Sequence, residues 1–141
     1  MMQAKVGWST AGSPLAAGKE AAQAAKVDGA QIALLFGSVD YNAEELLKGV
    51  RETLGNVPVI GCTSYTGVLT PGGFITSPDG YCALMALSDE DMAVSVGAAE
   101  KKECAVAAGE EAALAALEAA GMDMAPEFFY MVAPPGEEEF Y

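Results

Sequence analysis

Histidine is missing altogether, and basic side chains number 7 against 20 acidic ones, for a formal charge of −13 at pH 7. The first absence removes Ser-His-Asp and Cys-His catalysis, the commonest metal ligand and the one side chain that titrates near neutrality unperturbed. The second removes counterion release as a source of affinity, which excludes nucleic acid and anionic membrane surfaces as partners. Cysteine is scarce: Cys62, Cys82 and Cys104 are odd in number, widely spaced and free of any Cys-x-x-Cys pair. Neither a disulfide framework nor a thiolate metal site is encoded, and the pattern fits a reducing cytoplasm. No apolar run reaches the roughly 18–20 residues that span a bilayer, and the first five residues lead into a strand-like segment rather than a signal-peptide core. The glycines spell no phosphate loop, since Gly72-Gly73 lacks the Gly-Lys-Ser/Thr ending and no Gly-x-Gly-x-x-Gly follows the first strand. No cofactor is therefore expected.

What the sequence does hold is 52 % hydrophobic residues in 141, enough for one sizeable core. Residues 4–10 read as a strand running into the turn Ala11-Gly12-Ser13-Pro14, and residues 15–27 as a helix whose inward stripe, Gly18, Ala22 and Ala25, is made of very small side chains. Residues 31–36 form a continuous apolar run closed by Gly37-Ser38, as in a strand covered on both faces. Asn42 followed by Glu45 resembles a capping box, and Leu46, Leu47, Val50 and Leu54 keep helical spacing over 43–54. A further strand over 57–60 ends in Gly61-Cys62-Thr63-Ser64. This strand-helix-strand-helix-strand start predicts an α/β fold with a layered mixed sheet and right-handed crossovers. Beyond it, 66–69, 81–87 and 92–96 read as an antiparallel meander about the acidic turn 88–91, 104–120 as an alanine-rich helix, and 128–132 as a last strand before the acidic run Glu137–Glu139.

The stretch Ala17-Gly18-Lys19-Glu20-Ala21-Ala22 returns 91 residues later as Ala108-Gly109-Glu110-Glu111-Ala112-Ala113. Each is followed by an apolar strand and then a glutamate pair, so the chain reads as an internal repeat of about 4–64 and 92–141, the second member only begun. Compositional likeness of two alanine-rich helices is the alternative reading. On the repeat, the expectation is a truncated part of a longer protein, with the last strand's uncovered surface allowing a homo-oligomer or a missing segment to pack there.

These segments resemble the FIST family of sensory domains, in its N-terminal region. The resemblance is carried by Ala17–Ala22, by Leu34-Leu35-Phe36-Gly37-Ser38, by Glu45–Arg51 and most specifically by Pro58-Val59-Ile60-Gly61-Cys62-Thr63-Ser64. It implies one FIST N-like domain over 1–141, a role in signal transduction, and a C-terminal or downstream signalling domain as partner. Family members often carry a Gly-Glu pair shortly after the Gly-Cys-Thr segment; Gly67-Val68 stands there instead.

In open α/β sheets ligands bind beyond the carboxyl ends of the strands. That rule singles out Ser9 and Thr10 after the first strand, Gly37 and Ser38 after the second, and Gly61, Cys62, Thr63 and Ser64 after the third as ligand-binding candidates. They are small and mostly neutral hydrogen-bonding groups, suited to a small polar molecule such as an amino acid or similar metabolite, with Trp8 and Tyr65 alongside. The same residue types also terminate strands and cap helices. Two rival functions remain open at this point: an enzyme using Cys62 or the Ser/Thr cluster, and a non-catalytic assembly module. Catalysis is not expected, because a thiol needs an activating partner and no histidine exists to supply one.

Overall fold

Alternation from Gln3 and the Ser13-Pro14 start give the first strand-helix pair, β1 (Gln3–Ser9) and α1 (Pro14–Ala25), in a computed structural model that describes residues 1–101, 103–121 and 125–134. Pro14 occupies the first helical turn, where its missing N–H costs nothing, and Ser13 Oγ accepts from Ala16 N at 3.4 Å. There follow β2 (Ile32–Ser38), α2 (Ala43–Leu54), β3 (Val59–Ser64), β4 (Val68–Thr70), β5 (Gly73–Ile75), β6 (Cys82–Ser88) and α3 (Ala105–Ala120). The chain divides into two units, Met1–Met92 and Ala93–Tyr141.

The first unit is built on a four-stranded sheet of order β1-β6-β2-β3. β2 and β3 are parallel, and β6 lies antiparallel between β1 and β2. The α/β class and mixed sheet read from the sequence are those of the structure. The strand expected at 92–96 beside β6 is not formed, because both edges of β6 are taken by β1 and β2. Gln31 instead leads the chain away: its Oε1 accepts from Asp89 N at 2.8 Å and its Nε2 donates to Met92 O. The antiparallel excursion is shorter than expected, a β4–β5 hairpin pairing Val68 with Ile75.

Helix α2 starts as its residues dictate. Asn42 Oδ1 accepts from Glu45 N at 3.0 Å, Glu44 and Glu45 sit in the first turn and Arg51 in the last, each on the favourable side of the macrodipole. Gly55, at φ 70°, closes it by donating its N–H to Arg51 O at 2.8 Å. Helices α1 and α2 approach through bare backbone: a Cβ on Gly18 would lie 2.3 Å from Leu46 O, and one on Gly49 2.2 Å from Leu15 O. α1 meets the sheet the same way, a Cβ on Gly7 falling 2.1 Å from Ala21 O. Between them lies the core of Ala17, Ala21, Ala22 and Ala25 with Leu46, Val50, Ala33, Cys82, Leu84 and Ala86. Burying Leu84 and Val50 contributes roughly 2 kcal/mol each. The opposite face of the sheet is covered in part by the hairpin, where Val68 and Ile75 pack with Tyr81, Ala83 and Phe36.

In the second unit α3 begins at Cys104 without a side-chain cap and ends at Gly121, φ 61°, whose N–H donates to Glu118 O at 3.1 Å. Ser95 Oγ donates to Ala116 O at 2.6 Å. The strand expected over 128–132 is not formed, since among the described residues no neighbour pairs with it, and Phe128 is 80 % exposed. The Glu137–Glu139 run lies outside the described residues.

Candidate functional site

β1, β2 and β3 all run opposite to β6, so Ser9, Ser38 and Ser64 finish at the same end of the sheet. The register there pairs Ser9 and Gly37 with Cys82 from its two sides and Ser38 with Ser64. β3 runs four residues beyond the 57–60 reading, because Gly61–Ser64 continue pairing with Leu35–Ser38. Gly61 permits this close pairing: a Cβ there would lie 1.7 Å from Leu35 O.

Strand alternation then divides the eight candidates. Gly37 faces the helices, where an added Cβ would lie 2.7 Å from Leu46 Cδ2. Ser9, Gly61 and Thr63 share that side by register. Ser38, Cys62 and Ser64 point to the other, and Thr10 follows the end of β1. Thr10, Cys62 and Thr63 are exposed, whereas Ser9 and Ser38 are buried at 5 % and 2 % exposure.

The buried hydroxyls hold the turns. Ser9 Oγ donates to Glu20 Oε2 at 2.5 Å and accepts from Ala11 N at 3.1 Å. Ser38 Oγ donates to Asp40 Oδ2 and accepts from Asp40 N, both at 3.2 Å. Ser64 Oγ donates to Gly67 O. Each hydroxyl ties down the loop that follows its strand, which places the exposed neighbours in defined positions.

Two tyrosines that sequence reasoning passed over complete this end. Tyr81 OH donates to Ser64 O at 2.7 Å, and Tyr41 OH donates to Ala11 O. Tyr41 stands just before the Asn42 cap and packs in one cluster with Leu46, a hydrophobic staple; an aromatic at that position was the available signal. Burial pushes the Tyr41 phenol up to about 12, and Coulombic repulsion from the Cys82 thiol as it ionises and from Glu20 and Asp79 acts in the same direction. Cys82, fully buried with Sγ 3.5 Å from Ala17 O, is likewise pushed up to about 12 by burial first. Both keep their protons at neutral pH, so neither is a nucleophile there. Trp8 points away from Ser9 and lies over the hairpin turn, an added Cβ on Gly72 falling 2.7 Å from its Cζ2; Tyr65 is exposed. Among the described residues no cluster of three or more His, Cys, Asp or Glu could hold a metal ion, and no helix is long and apolar enough to cross a membrane.

Comparison with known proteins gives a family match: the model of the FIST N domain fits residues 31–140. No curated protein matches the chain. Solved structures that are similar include the empty FtsZ dimer of M. jannaschii, at 17 % identity and a TM-score of 0.39. A point mutant of the same FtsZ stands at 18 % and 0.40. Each alignment covers 66 % of this chain and 28 % or 29 % of the FtsZ chain, so the present sequence spans under a third of those proteins.

Proposed function

The chain belongs to the FIST N domain family of sensory and signal-transduction domains, and from that premise we propose that it binds a small polar solute at the C-terminal end of its first sheet and passes occupancy on to another domain. The observation that supports the reading is the common direction of β1, β2 and β3, by which Ser9, Thr10, Gly37, Ser38, Thr63 and Ser64 come to one end of an open α/β sheet, with Gly61 and Cys62 further back along β3. Thr10, Cys62 and Thr63 offer the exposed contacts; Ser9, Ser38 and Ser64 shape the loops that present backbone N–H and C=O groups. An amino acid or a similar metabolite suits such neutral donors and acceptors.

Signalling proceeds by population shift: the solute favours one arrangement of these loops through its differential affinity, and a downstream domain reads that arrangement. The lack of any histidine to activate Cys62 or the Ser/Thr cluster supports a binding role over a catalytic one. Thermal denaturation of the chain with each common L-amino acid in turn tests the reading. At least one should raise Tm by mass action, and Thr10→Val with Thr63→Val should abolish that rise while leaving the ligand-free Tm in place. A panel without any shift, or a shift that survives both substitutions, sinks the assignment.

A further inference from the structure

A glycine that lets the preceding segment lie bare against a helix occurs twice. A Cβ on Gly7 would meet Ala21 O at 2.1 Å and Ala25 N at 2.7 Å, and a Cβ on Gly97 would meet Ala112 O at 2.1 Å and Ala116 N at 2.4 Å. Ala112 and Ala116 stand 91 residues after Ala21 and Ala25, the spacing at which Ala17-Gly18 returns as Ala108-Gly109, and Gly97 stands 90 after Gly7. Compositional likeness of two helices does not place a separate, preceding glycine against the same two turns of each. Val6-Gly7 and Val96-Gly97 also agree in the residue before the contact.

We infer that residues 93–134 repeat the sequence unit that forms β1, α1 and β2 in residues 3–38, and that this second copy keeps the glycine-to-helix contact while forming neither flanking strand and lacking their polar ends, so that solute is taken up at the first copy alone. The one-site statement rests on the reading of the strand ends above. Carried across the repeat, Ser9 and Thr10 become Ala99 and Glu100, which removes the buried hydroxyl that orders the loop after β1. Aligning Ile32–Phe36 with residues 128–132 sets Ser38 opposite Pro134. Ser38 uses its N–H to bond Tyr81 O at 2.8 Å and its hydroxyl to hold Asp40; proline has neither group to offer.

Hydrogen exchange on the full chain tests both halves. Gly97→Ala is expected to speed exchange severalfold over 105–120 and leave 3–38 unchanged, whereas Gly7→Ala speeds exchange over 14–25. Ser95→Ala, which deletes a bond to Ala116 without adding a clash, gives a smaller acceleration in the same α3 amides. Unchanged α3 exchange in both Gly97→Ala and Ser95→Ala overturns the repeat. A mixture of the common L-amino acids is expected to slow exchange at 9–12 and 38–42 and not at 98–101. Slowing at 98–101 overturns the one-site statement. No slowing anywhere overturns that statement together with the binding reading beneath it, while the glycine variants still decide the repeat.

Discussion

Helices α1 and α3 draw on much the same alanine-rich vocabulary, yet α1 buries Ala17, Gly18, Ala21, Ala22 and Ala25, whereas in α3 Ala108 is the one buried residue among those described. An alanine face removes little area from water by itself, so its burial depends on how close a neighbour can come. α1 has two such neighbours, the sheet at Gly7 and the crossing helix at Gly49. α3 has the segment ending at Gly97 and the Ser95 hydroxyl. Small residues give permission to pack, and topology decides whether anything takes it up.

The contrast is broken most severely at the glycines of the first unit. Gly7→Ala is expected to destabilise residues 1–92 by about 3 kcal/mol, because the clash is with helix backbone that has no rotamer to yield; urea unfolding that shifts by less than about 1 kcal/mol would show that α1 can retreat from the sheet. Gly18→Ala and Gly49→Ala should each cost about 2 kcal/mol, and together less than their sum, since both open the same helix crossing. Strict additivity in a double-mutant cycle would contradict a shared contact.

Alkaline titration comes next. The folded state holds the Cys82 and Tyr41 protons up to about pH 12, while the unfolded chain releases them from 9.0 and 10.0, so stability is full below pH 9 and declines as pH rises toward 12. Cys82→Ala should remove the earlier part of that decline and Tyr41→Phe the later part. In the native protein an alkylating reagent should label Cys62 and Cys104 and spare Cys82; native labelling of Cys82 would undo the premise. The smallest effects belong to the caps. Asn42→Ala is expected to cost about 1 kcal/mol, and Cys104→Asn to stabilise α3 by up to about 1 kcal/mol, because one helix start has a side-chain acceptor and the other does not. Exchange rates of the α3 amides would reveal whether the new cap forms.

Local rules made α2 legible to the residue, since its cap, its period and its closing glycine all lie within the segment they specify. The Ile60–Ser64 motif likewise falls inside the family match. What could not be read was pairing between distant segments. Nothing near 82–88 records that it slots between β1 and β2, and so nothing near 92–96 records that its alternating residues would find no vacant edge. The small residues Gly61–Ser64 looked like a strand ending because Gly, Thr and Ser usually are; across from Leu35–Ser38 they are strand. Of the candidate site, the shared end of the three strands was foreseeable from parallel direction, while the split of side chains between two faces depended on where β3 stopped. Tyr41 and Tyr81 act across the fold and left only a positional hint.

The insertion of β6 also sets a timetable. Among the described residues β1 has β6 as its one hydrogen-bonded neighbour, so β1 stays unpaired on leaving the ribosome until Ser88 has followed it. At roughly 5–20 residues per second that is a wait of on the order of ten seconds, during which β1 and α1 are offered to chaperones and to neighbouring nascent chains. A translational pause after β1 has emerged and while Cys82–Ser88 is still inside the ribosome would lengthen that interval and one after Ser88 has emerged would not, which makes newborn-chain solubility depend on where translation stalls.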